Sequence, residues 1–181
     1  MFRFLFVAFG LLPLLAKASA ADPVATVPEV DLARYLGRWY EIASYPMYFQ
    51  RRCIGDVTAD YTQLAPGRIG VLNRCRTEDG FIEANGKARI VDNSGNARLQ
   101  VSFFWPFSAP YWIIGLDSDY RWVVVGHPER KTLWILARQP ALTEPDWLAA
   151  RRAAEAQGYD LAKLKPTRHT PQQEGTADAS R

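Results

Sequence analysis

The feature that most constrains this chain is a succession of eight apolar–polar alternating runs, laid end to end with little between them. They fall at about 38–46, 55–64, 68–77, 81–92, 97–104, 111–117, 121–127 and 132–138. A period of two places alternate side chains on opposite faces of a strand. Turn-forming residues separate several runs: Ala65-Pro66-Gly67, Asp79-Gly80, Asn93-Ser94-Gly95-Asn96 and His127-Pro128-Glu129-Arg130. No helix-period segment intervenes, which argues against an α/β fold. Eight sequential strands joined by short turns make an antiparallel meander, and its two outer edges stay unpaired unless the sheet closes. An all-β, eight-stranded antiparallel up-and-down barrel is the closed solution.

The flanking segments read differently. Residues 1–20 carry Arg3, the apolar run Phe4–Leu15 and the small-x-small triplet Ala18-Ser19-Ala20. This is the pattern of a cleaved secretory signal, and it is too short for a membrane anchor. Cleavage after Ala20 leaves 20 Lys and Arg against 19 acids, a balance that gives no footprint for nucleic acid. Ala21 follows the signal where a lipidated cysteine would stand, so the expectation is an exported, soluble periplasmic protein. Residues 21–34 read as a loose lead-in and 35–165 as the barrel domain. A helix at about 144–157 packs outside it, started by Thr143 and Pro145 and stopped by Gly158. The polar tail 166–181 reads as disordered.

Three short motifs stand in order along the barrel. Gly37-x-Trp39 opens the first strand, Ser118-Asp119-Tyr120 forms the turn between the sixth and seventh, and Arg138 ends the eighth. With these motifs the chain resembles a lipocalin, of the bacterial outer-membrane and apolipoprotein D-like branch, over about residues 30–165. The segments 102–111, 133–140 and 158–164 resemble that branch in particular. The resemblance implies that Trp39 sits in the barrel floor with Arg138 over its ring, a cation–π contact of about 0.5–2 kcal/mol. Gly37, Trp39, Asp119, Tyr120 and Arg138 are then structural.

The resemblance also implies a cavity for small hydrophobic ligands such as fatty acids or lysophospholipids, with a possible role in envelope lipid maintenance. Carrying the inward register over gives ligand-facing candidates Ala43, Ala59, Tyr61, Val71, Asn73, Ala88, Ile90, Val101, Phe103, Tyr111, Ile113, Val124, Trp134 and Leu136. Outward Thr58, Asp60, Arg68, Arg89, Gln100 and Ser102 support the phase of several strands. Strands 111–117 and 121–127 are apolar on both faces, so their phase is weakly determined. Asn73, Tyr61 or Tyr111 could meet a headgroup. Two loops at the open end are aromatic, and Tyr48, Phe49, Trp105 and Phe107 are candidates for gating or for peripheral membrane contact. The alternative is that these loops fold over each other as a lid. Arg51, Arg52, Arg130 and Lys131 form a basic rim.

Cys53 and Cys75 approach each other across the hairpin of the second and third strands, and an oxidising compartment favours a disulfide. A loop of this length gives an idealised effect of roughly 3 kcal/mol. A binder of a flat ring such as haem, a pigment or a quinone is a second reading, and a cavity enzyme using Cys75 is a third. Against catalysis, the two histidines lie at a loop and in the tail, with no metal spacing, catalytic triad or paired carboxylates. Glu41 is a lone acid placed in the lower barrel. No cofactor or metal is expected, and oligomeric state is not legible.

Overall fold

The computed structural model describes residues 22–171, so the signal segment and residues 172–181 lie outside the described residues. A short helix α1 (Leu32–Tyr35) precedes strands β1 (Gly37–Ser44), β2 (Gly55–Ala65), β3 (Arg68–Thr77) and β4 (Gly80–Ile90). Then come β5 (Arg98–Phe104), β6 (Phe107–Leu116), β7 (Trp122–Gly126) and β8 (Leu133–Ala137), helix α2 (Glu144–Ala156) and a two-residue strand β9 (Lys165–Pro166). The strands pair antiparallel in sequence order from β2 to β8, β1 follows β8, and β1 also pairs with β2, which closes the barrel.

Helix α2 forms where the sequence places it. The Thr143 hydroxyl accepts from the Asp146 amide at 3.3 Å, and Gly158 takes a positive φ of 76° just past the end. Its buried residues Ala150 and Ala154 lie against Ile114, Trp122, Val124, Leu133 and Ile135 on the barrel's outer face. Gly115 allows this approach, since a Cβ there would stand 2.7 Å from that of Ala153. Arg121 holds the helix start by pairing with Asp146 at 3.1 Å.

The helix corrects one inward candidate. Val124 belongs to the cluster beneath α2, while Val123 and Val125 face the interior. Both faces of β7 are apolar because both are covered, so alternation carried no phase. Ala43 is corrected for another reason. An irregularity between Glu41 and Ala43 shifts the β1–β8 register and sets Ala43 opposite the outward Ile135, with Ser44 opposite the inward Trp134.

Both flanks are more engaged than their composition suggests. Val24 and Val30 of the lead-in are buried, and the Val27 amide donates to the Ile113 carbonyl at 2.9 Å. Asp31 caps α1 by accepting from the Ala33 amide at 2.9 Å. The first residues of the 166–181 segment expected to be disordered instead continue the wall. β9 pairs with Ala43 and Ser44, the Thr167 amide donates to the Ile42 carbonyl, and the Asp56 amide donates to the Arg168 carbonyl. The chain after β9 therefore stands between β1 and β2 at the end where those strands diverge.

Candidate functional site

The barrel has a packed end and an open end. At the packed end Trp39 is fully buried, and its indole N–H donates to the Tyr35 carbonyl at 2.8 Å. The Arg138 guanidinium lies 3.9 Å from the Trp39 ring centroid and donates to the carbonyls of Arg38, at 2.8 Å, and Arg34. The Asp117 carboxylate orders the β6–β7 turn, accepting from the Asp119 and Arg121 amides at 3.1 Å each. Tyr120 adopts a φ of 61° there, and its hydroxyl accepts from the Asp31 amide at 2.8 Å. The turn is thereby tied to the cap of α1.

Above this floor three tyrosines share their hydroxyls. Tyr111 is 2.7 Å from Tyr35 and 2.8 Å from Tyr61, oxygen to oxygen. Burial pushes all three phenols up, Tyr61 to about 12. Ala59, Ile69, Val71, Ala88, Leu99, Ile113 and Leu136 pack around them. Tyr35 comes from α1, outside the strands, and no strand periodicity could have revealed it.

Beyond this layer the interior opens. Val101, Phe103, Ile90 and Trp134 pack on the core and are only partly buried. Register sets Asn73 opposite Ala59 and Ala84, and Ala109 opposite Val101, so all share the inner face. Ala84 and Ala109 are nonetheless exposed, as inner-face residues are only where the interior meets solvent. β4 and β5 pair only from Lys87 to Ile90 against Leu99 to Ser102, so the wall parts above that point. Phe103 rests at Gly86, where an added Cβ would meet its ring at 2.8 Å.

A pocket of about 560 Å³ occupies the β1–β2 side of the mouth, lined by the 44–57 segment, Glu41 and residues 165–168. The Cys53–Cys75 disulfide, with Cα atoms 5.6 Å apart, ties the 45–54 loop to β3. Around the rim stand Tyr48 (77% exposed), Phe49 (67%), Phe104 (80%), Trp105 (92%) and Phe107 (76%). At those exposures the two aromatic loops do not cover each other. Of the basic rim, Arg51 stacks on Tyr48 at 4.0 Å and Lys131 pairs with Glu129. Arg130 donates to the Gln157 carbonyl at the end of α2, and so serves the helix.

The Gly37-x-Trp39 start, closed by a cation–π contact from the residue after β8, coincides with a match to the lipocalin-like domain family over residues 30–169. The chain belongs to the lipocalin family. Temperature-induced lipocalin-1 of Arabidopsis thaliana is 38% identical over 163 residues, spanning 83% of this chain and 87% of that protein. Outer membrane lipoprotein Blc of Escherichia coli K12 is 36% identical over 168 residues, spanning 85% and 94%. Mouse apolipoprotein D is 33% identical over 149 residues, spanning 76% of each chain. The fold is also similar to solved structures. Insecticyanin of Manduca sexta superposes with a TM-score of 0.68 at 17% identity, over 83% of this chain and 87% of that one. Lobster apocrustacyanin A1 gives 0.63 at 17% identity, over 77% and 79%.

Lipocalins bind small hydrophobic ligands. Of the inward candidates, Ala59, Val71, Ala88, Ile113 and Leu136 lie in the packed half. Ile90, Val101, Phe103, Tyr111 and Trp134 are partly buried against that packed half, and Asn73 shares the inner face with Ala59. Sequence reasoning assigned Glu41 to the lower barrel, and it lines the mouth pocket instead. The Cys75 sulfur is bonded to Cys53, which removes the thiol a cysteine nucleophile requires. Among the described residues no group of three or more metal-ligating side chains comes together, and no helix is long and apolar enough to cross a membrane.

Proposed function

We propose that this lipocalin binds and carries acyl-chain amphiphiles, fatty acids or lysophospholipids, with the tail in the open half of the barrel and the polar end at the mouth. The supporting observation is the polarity of the interior. Val101, Phe103 and Trp134 offer apolar inner walls, while the separate pocket on the β1–β2 side of the mouth carries Glu41, Gln50, Arg51, Lys165 and Arg168. An amphiphile matches both the apolar wall and the charged mouth, whereas a wholly apolar ligand matches only the first. A flat ring is less well served. Tyr61 and Tyr111 meet at 68° and bond through their hydroxyls, so they do not form a slot.

The signal-like start supports export to the periplasm, and the aromatic rim supports transient contact with a lipid surface during loading. Together these fit a role in cell-envelope lipid maintenance. Purification of the protein from its own envelope without refolding, followed by native mass spectrometry and lipid extraction, tests the reading. The expected result is bound acyl lipid of one or two chains. A chromophore, or a ligand without an acyl chain, overturns it.

A further inference from the structure

Within the polar lining of the mouth, the Glu41 carboxylate stands out for its hydrogen-bond partners. Glu41 is 5% exposed and lines the mouth pocket. Its carboxylate accepts from the Ser44 hydroxyl at 3.1 Å, the Gln50 amide nitrogen at 2.8 Å and the Thr167 hydroxyl at 2.6 Å. Every one of these donors is neutral. No cation pairs with Glu41 among the described residues, although other buried or half-buried acids, Asp117 and Asp56, each hold an arginine. His169 reaches the Glu41 main-chain carbonyl at 2.7 Å and leaves the carboxylate alone. A buried carboxylate is ordinarily compensated by a cation, because neutral hydrogen bonds return only part of its lost hydration.

The pocket around it has the opposite charge at its outer side. Arg51, Lys165 and Arg168 line the same space, and all three are exposed. Acid deep and bases shallow is a dipolar arrangement built from β1, the 45–54 loop and the chain after β9. Only one of the two carboxylate oxygens accepts two hydrogen bonds, so the other, which accepts only from Gln50, retains capacity towards the pocket.

We propose that Glu41 is the receptor for a cationic nitrogen on the ligand's polar end, so that this lipocalin selects amphiphiles bearing an ammonium headgroup. The inference rests on the acyl-amphiphile reading and deepens it. The ammonium supplies the counter-charge that the protein withholds from Glu41. Where the headgroup also carries a phosphate, Arg51, Lys165 and Arg168 meet it at the pocket's outer side. A simple fatty acid brings a second negative charge towards Glu41, and gains less.

Equilibrium binding to the full-length mature protein distinguishes the possibilities, using probes that share one oleoyl chain. These are lysophosphatidylethanolamine, lysophosphatidylglycerol, oleylamine and oleate. The expected result is preference for the two amines over their nitrogen-free counterparts by about tenfold, the scale of one charged hydrogen bond. Glu41→Gln keeps the shape and abolishes the preference, while oleate binding is retained or strengthened. Equal binding of all four probes by the wild type overturns the Glu41 assignment and leaves the acyl reading standing. Failure of all four probes to bind overturns the acyl reading itself. The wild-type comparison decides the question even if the Gln variant does not fold, and a folded variant that keeps the amine preference overturns it.

Discussion

Tyr61 shows how one hydroxyl links packing to pH. Its phenol is buried, bonds to Tyr111 and is pushed up to about 12. In the unfolded chain an ordinary tyrosine ionises near 10. Below that value both states are neutral and the full stability is present. Between about 10 and 12 the unfolded state releases its proton first, so stability falls as pH rises. Tyr35 and Tyr111 are raised by burial in the same direction and steepen the fall. Tyr61→Phe is expected to cost about 1 kcal/mol at neutral pH, by removing one hydrogen bond, and to flatten the alkaline loss. Urea midpoints measured from pH 8 to 11.5 check this, and an unchanged alkaline slope contradicts it. Arg138 acts on the same scale without titrating. One guanidinium covers Trp39 and satisfies two carbonyls, a geometry that lysine cannot reproduce.

Among the elements, the chain after α2 carries the largest consequence for the mouth. β9 and the residues following it satisfy β1 at Ala43 and Ser44 and β2 at Asp56. Thr170 adds two hydrogen bonds to the Asp56 carboxylate, at 2.6 and 2.8 Å, helping hold that carboxyl below its usual range. A chain ending at Leu164 is expected to keep the barrel and lose protection at the Asp56 amide, which now donates to the Arg168 carbonyl. Hydrogen exchange read residue by residue tests this, and an Asp56 amide as slow as in the full chain refutes it. Most of the barrel strands were legible because turn residues stand at their ends and one face is polar, as in Thr58, Asp60, Arg89 and Gln100, whereas β7 was legible as a short apolar run without a phase. The helix was legible from Thr143, Pro145 and Gly158. β9 was not, because two residues, one of them Pro166, carry no period and their pairing is wholly non-local. Alternation misplaces Val124, where both faces are apolar, and Ala43, where an irregularity shifts the register. The pocket around Glu41 drew on Gln50 and Thr167, from segments read as loop and tail, and no local pattern joins them.

At the scale of the whole molecule, the barrel is polarised along its axis. Trp39, Arg138 and the tyrosine cluster close one end, and the disulfide and aromatic loops frame the other. Five large aromatics at the rim, each at least 67% exposed, form an apolar surface that solvent alone does not reward. They surround the entrance and flank Arg51 and Arg52, so a lipid surface pressed against them would present headgroups to the mouth. Reversible contact is the expected outcome, since a few shallow aromatics and arginines give far less than a spanning helix. Vesicle co-sedimentation with phosphatidylethanolamine and phosphatidylglycerol is expected to capture the wild type and release it as salt is raised. Replacing Trp105 and Phe107 with Ser is expected to reduce capture several-fold, at about 1–3 kcal/mol of lost apolar burial in total. Thermal stability should hardly change, because these side chains bury little in the fold. Binding of soluble oleoyl probes should persist, because the interior is untouched. Unchanged capture of the double variant would remove the aromatic rim from any role at the membrane.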